Sequence, residues 1–127
     1  MLDKKVIATD EAALPVGPYS QAVEAGDFVF VAGEKGLDPK TNKIVDGGIA
    51  AETRQTLENV KAILGAAGLG LDRVVRSVVY MTDLTKFSEM NEVYAEYFTA
   101  DPPGRSCVQV VALPAGAHVE IEVTAAR

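Results

Sequence analysis

The chain has 127 residues, 48% of them hydrophobic and 24% charged, which is ordinary globular usage and excludes a disordered polymer. Eighteen acidic against twelve basic side chains give a formal net charge of -6, a balance that repels phosphate backbones and makes nucleic acid a poor default partner. One cysteine excludes an intrachain disulfide, and no apolar run reaches the ~20 residues of a membrane-spanning helix, so one cytoplasmic domain over residues 1–127 is expected.

Lys4 to Ala8 reads as a weak first strand, after which Pro15, Gly17 and Pro18 break any regular pattern and restrict the backbone before Tyr19. Ala22 to Ala25 and Phe28 to Ala32 read as a hairpin turning at Gly26-Asp27. The segment from Gly33 to Pro39 reads as a loop, with glycines where a backbone can approach a ligand.

Ile49 to Ala67 has helical spacing, with Ile49, Thr53, Leu57, Val60, Leu64 and Ala67 on the expected buried stripe, Glu52, Arg54, Glu58 and Lys61 facing away, and Gly68 as the stop. Val74 to Met81 reads as a strand apolar on both faces, Val75 with Val79 on one and Val74 with Val78 on the other. A second helix, capped by Asp83 or Thr85, runs to about Phe98 and buries Phe87, Met90, Tyr94, Tyr97 and Phe98. Arg105 to Val111 and His118 to Thr124 read as two strands joined through Pro114 and Gly116 as a hairpin. Two helices cover one face of such a sheet, so the other face meets either a second subunit or the loop from Gly33 to Gly48.

Alternation places Arg105, Cys107 and Gln109 on one face of the first of these strands, and His118, Glu120 and Glu122 on one face of the second. Arg105 can clamp a carboxylate bidentately or form a structural salt bridge to Glu122 or another acid. Glu120 is either a general acid/base or a solvent-facing strand residue. In the hairpin register the two lie several residues apart, so one small substrate reaches both only if Arg105 of one subunit meets Glu120 of the next. Cys107 is spaced too far from His118, the sole histidine, for a nucleophilic dyad and reads as a small wall residue. One His and one Cys provide too few ligands for zinc or iron, no Asp-rich motif suggests magnesium, and Gly65 to Gly70 follows a helix where a nucleotide-binding loop would open one.

Gly17-Pro18-Tyr19-Ser20-Gln21-Ala22, Thr53-Arg54-Gln55-Thr56-Leu57-Glu58-Asn59-Val60, Met90-Asn91-Glu92-Val93-Tyr94 and Pro103-Gly104-Arg105-Ser106-Cys107-Val108, with Leu113-Pro114 and Val119-Glu120-Ile121-Glu122, resemble the RidA (YjgF-type) family of reactive-intermediate deaminases. The resemblance implies a chorismate-mutase-like α+β fold, a six-stranded mixed sheet with two helices on one face, assembled as a homotrimer around a central barrel with clefts between subunits. It implies hydrolysis of 2-imino acids, such as 2-iminobutanoate or 2-iminopropionate, to 2-keto acids and ammonia without metal or cofactor. Arg105 matches the carboxylate-binding arginine and Glu120 the residue that activates water, while Tyr19, Asn91 and Cys107 match pocket-lining positions. Where many members carry a Ser-Gly-Gln segment, this chain reads Ala32-Gly33-Glu34-Lys35-Gly36. A hydroxyl is lost there, Gly33 still offers its N–H to a substrate carboxylate, and Lys35 either recharges the pocket for a different anion or points to solvent. The competing readings are a keto-acid-binding module without turnover and an endoribonuclease.

Overall fold

The computed structural model describes residues 3–127. Its strands are β1 (Lys4–Ile7), β2 (Ala22–Ala25), β3 (Phe28–Lys35), β4 (Val74–Met81), β5 (Gly104–Gln109) and β6 (Val119–Ala126), and its helices are α1 (Gly48–Ala66) and α2 (Phe87–Tyr97). The strands form one sheet in the order β1-β2-β3-β6-β4-β5, antiparallel except for the β4–β5 pair. This is an α+β fold with a mixed six-stranded sheet, and both helices cover the same side of it.

The hairpin of β2 and β3 forms as expected, with Ala25 opposite Phe28 and Gly26 at a positive φ that favours glycine. The expected hairpin of the last two strands does not form. Because α2 connects β4 to β5 as a crossover, β5 lies parallel to β4 at the sheet edge. The chain then passes over the end of β4, where Val110 N–H donates to Met81 O and Thr82 N–H to His118 O, and β6 enters between β3 and β4. Burial explains the choice. β6 buries Val119, Ile121, Val123 and Ala125 against the helices, whereas β5 is mostly exposed and suits an edge.

The core lies between the sheet and the helices and includes Val29, Leu57, Val60, Ile63, Leu64, Val79, Met81, Met90 and Ile121, all fully buried. Each such side chain contributes ~1.5–3 kcal/mol by leaving water. In β4 a bulge between Val74 and Arg76 shifts the alternation. Val74 joins Ser77, Val79 and Met81 on the helix side while Val75 is exposed, the reverse of the strict period-two expectation. α2 buries Met90, Val93 and Tyr94 and packs Phe98 just beyond its end, but leaves Phe87 exposed.

Two polar contacts tie β3 to α1. Asn59, fully buried, donates to Lys35 O and Leu37 O, and Gly36 packs so closely on α1 that a Cβ there would lie 2.8 Å from the Glu52 Cα. The loop after β3 is thereby held toward α1, and it does not cover the open face of the sheet. That face leaves Val6, Phe28, Phe30 and Val108 exposed. Among the described residues, no helix is long and apolar enough to cross a membrane.

Candidate active site

Cross-strand register decides which functional side chains can meet. On the helix side one row runs Arg105, Ser77, Val123, and the next runs Cys107, Val79, Ile121, Glu34. On the open side a row runs Val108, Tyr80, Glu120, Lys35. Arg105 and Glu120 therefore project from opposite faces of the sheet.

Arg105 is fixed by α2. Its Nη1 donates to Asn91 Oδ1 at 2.8 Å, and its guanidinium stacks over the Tyr94 ring at 4.7 Å and the Phe87 ring at 5.5 Å. Residues at 87, 91 and 94 share one helical face, so α2 presents two rings and an amide to a single arginine. Tyr94 is held by a 2.7 Å hydrogen bond between its hydroxyl and Ser77 Oγ, and burial raises its pKa above the usual tyrosine value. Among the described residues no carboxylate pairs with Arg105. The salt bridge to Glu122 considered from the sequence is absent, because Glu122 is on the open face and accepts from the Tyr80 hydroxyl. A guanidinium that is oriented but not neutralised is suited to an exogenous anion.

Cys107 is half-buried beside the core on the Arg105 side, and burial pushes its thiol upward while the Arg105 charge pulls the other way. That environment keeps the thiol protonated. His118 is engaged elsewhere. Glu52 Oε1 accepts from the His118 backbone N–H at 2.8 Å, and Oε2 lies 2.6 Å from His118 Nδ1. Glu52 was expected to face away from the core, yet it is 2% exposed, and the two contacts to His118 account for its burial.

The open-face group is built by the β3 bulge between Val31 and Glu34. Gly33 lets the chain pass under Glu120, since a Cβ at this position would fall 2.7 Å from the Glu120 carboxyl carbon. The segment expected as a loop from Gly33 thus begins as strand. Tyr19 is positioned by its hydroxyl, which accepts from Val16 N–H, and by Gln21, whose side chain bonds Thr9 and Ala13 and knots the preceding segment. Tyr19, Gly33, Lys35 and Glu120 line one cleft of about 240 Å³ together with Val16 and Pro114. Lys35 does not point to solvent. It is 5% exposed, with Nζ 3.2 Å from Gly33 O and 3.6 Å from Glu120 Oε1.

Glu34 faces the other side, opposite Ile121, and its carboxyl pKa is raised to about 7, chiefly by burial, against a lowering by Lys35 and a further rise from Glu120. A comparable cavity of about 260 Å³ lies at the starts of the two helices and is lined in part by His118, Lys86 and Asp83. Asp83 there caps the turn before α2 by accepting from Thr85, and Glu52 holds His118.

One chain thus presents two separate groups of side chains, Asn91, Arg105 and Cys107 on the helix side and a cleft with Tyr19, Gly33 and Glu120 on the open side. The family model described as Endoribonuclease L-PSP matches residues 9–127. A RutC family protein of Pyrococcus horikoshii is 52% identical over 96% of this chain and 97% of its own length. A 2-iminobutanoate/2-iminopropanoate deaminase of Mus musculus is 42% identical over 98% of this chain and 92% of its own. The crystal structure of RidA from an Antarctic Psychrobacter superposes with a TM-score of 0.94 at 43% identity, covering 97% of this chain and 99% of that one. The chain belongs to the RidA (YjgF-type) family.

Proposed function

We propose that this protein hydrolyses small 2-imino acids to 2-keto acids and ammonia in clefts formed where the Arg105 face of one copy meets the Glu120 face of the next, within a homotrimer. The observation that carries this reading is the unpaired, stacked Arg105 guanidinium on the face opposite Glu120. The exposed apolar residues of the open face supply the surface that a neighbouring copy would cover.

In the assembled cleft Arg105 grips the substrate carboxylate with its planar fork, which fixes the C=N carbon relative to the opposite wall. Gly33 N–H lies in that wall and offers a second contact. Glu120 accepts a proton from water as the oxygen bonds to the imine carbon and the nitrogen takes up a proton, giving a carbinolamine. Loss of the amine, assisted by return of a proton, yields the keto acid and ammonia. Tyr19 and Asn91 orient the water and the arginine, and Cys107 closes the side of the pocket. No step calls on a metal or an organic cofactor.

The test generates 2-iminobutanoate in place with an amino-acid dehydratase and follows keto-acid formation. Acceleration by the wild type, abolished by Arg105→Ala and reduced at least tenfold by Glu120→Ala, is expected. Binding of 2-ketobutyrate without acceleration would support a binding module instead. RNA cleavage is the reading favoured by the family model's description, and the net charge of -6 weighs against it.

A further inference from the structure

Lys35 is a cation placed where the fold has no need of one. It occupies a strand position flanked across the sheet by Glu120, with its side chain 6% exposed. Burying an ammonium is costly unless it is paired, and an apolar side chain would fill the same position without that cost. Among the described residues its only close hydrogen bond is to Gly33 O at 3.2 Å. The 3.6 Å separation from Glu120 Oε1 is an ion pair too long for a tight hydrogen bond. Of the three N–H donors on the ammonium, at least one is therefore free to face the cleft that Lys35 lines.

Neither neighbouring carboxylate forms a salt bridge with it. Glu34 feels the Lys35 charge but projects from the opposite side of the strand, in the row of Ile121, and Glu122 is engaged by the Tyr80 hydroxyl. Lys35 and Glu120 thus form a donor and an acceptor side by side in one wall.

Resting on the imine-hydrolase reading above, we propose that Lys35 is a second catalytic residue, the general acid that protonates the substrate nitrogen while Glu120 takes the proton of water. The nitrogen and the incoming oxygen end on the same carbon, so the acid and base serving them must lie within a few ångströms of each other. The Lys35–Glu120 separation meets that requirement.

The protons balance. As the water oxygen bonds to carbon, the C=N π pair moves to nitrogen, which takes a proton from Lys35, while Glu120 receives the proton water releases. Transfer of that proton from Glu120 to Lys35 restores the ion pair. In the second stage Glu120 removes the carbinolamine hydroxyl proton, the C–N bond breaks with its electron pair going to nitrogen, and Lys35 protonates the departing ammonia. A final Glu120-to-Lys35 transfer resets the wall.

The test compares wild type, Lys35→Met and Lys35→Ala on 2-iminobutanoate generated in place, with 2-ketobutyrate affinity measured alongside. Lys35→Met keeps the volume of the side chain. It is expected to retain keto-acid binding and to lower kcat at least tenfold, the lower part of the ~10²–10⁴ range that general acids and bases contribute. Lys35→Ala is expected to recover turnover in proportion to added trimethylammonium, which carries a transferable proton and cannot form an imine. Tetramethylammonium, equal in charge but without that proton, should have no effect. Undiminished turnover in Lys35→Met, or equal recovery with both cations, overturns the acid role while leaving the imine-hydrolase reading in place. A wild type that fails to accelerate imine hydrolysis overturns that reading and this role with it.

Discussion

Arg105 and Glu120 are presented on opposite faces of a single sheet, Arg105 across from Ser77 on the helix side and Glu120 across from Tyr80 on the open side. No side-chain rotation brings the two together within one chain. An active site using both is a property of the assembly, and subunit mixing tests it. Arg105→Ala and Glu120→Ala chains, the first inactive and the second reduced at least tenfold alone, should regain about a quarter of wild-type turnover when mixed equally and reassembled as trimers, because each mixed ring holds one intact cleft of three. Mixtures that stay inactive after verified subunit exchange would show that both groups are not shared across one interface.

Gly33 is the residue that lets Glu120 lie flat on β3. A methyl group added there would sit 2.3 Å from Glu120 Oε2 and 2.7 Å from its carboxyl carbon, closer than real contacts allow. The glutamate side chain is the flexible partner, so it moves and the strand stays. Gly33→Ala is expected to keep its melting temperature within a few degrees and to lose most imine hydrolysis, with 2-ketobutyrate affinity less affected than kcat. Full activity in that variant would show that Glu120 works from another position.

Glu34 makes stability depend on pH. Its folded pKa of about 7 stands above the ordinary 4.5 because burial disfavours the charged carboxylate. Between those values Glu34 binds more protons in the folded chain than in the unfolded one, so the stability linked to this group is fully present below pH 4.5 and is lost as pH rises through 7. The loss is on the order of 3 kcal/mol at its full extent. Glu34→Gln should be more stable than the wild type at pH 8 by a comparable amount and equal to it near pH 4, read by denaturant melts at the two pH values.

Asn59 holds the exit of β3 to α1 by donating to Lys35 O and Leu37 O, and Gln55 donates to its Oδ1 in turn. Asn59→Ala leaves those two carbonyls with no side-chain donor inside the protein, at a cost of roughly 1–3 kcal/mol for each buried group left unsatisfied. Chemical denaturation should show a destabilisation of about 2–6 kcal/mol on that basis. A change below 0.5 kcal/mol would mean that water replaces the amide.

The local elements were legible because local periodicity encodes them. Leu57, Val60 and Leu64 mark α1, and the pattern around Gly26 marks the β2–β3 hairpin. Strand order was not, because alternation along β5 and β6 says which face each residue takes but not which strand lies alongside. The helix between β4 and β5 was the available signal, since a strand-helix-strand crossover calls for parallel neighbours and would have excluded the hairpin. At the site, the residue types at 105, 107 and 120 were readable, but the opposition of their faces depends on the same pairing. The burial of Glu52 is not legible because charge suggests exposure, and for the same reason the sequence leaves Lys35 open between the pocket and solvent. Their partners, His118 and Glu120, are distant in sequence and become neighbours only in the folded sheet.

The position of β6 also governs the order in which the chain can be completed. Val119–Ala126 follows the other five strands in chain order and is the one that joins β3 to β4. Without it the sheet divides into a β1–β2–β3 meander and a β4–β5 pair, each with an unpaired inner edge open to adventitious pairing. Closure then inserts one strand between two waiting edges at once. Folding is consequently dominated by long sequence separations and should be slow for a chain of this size.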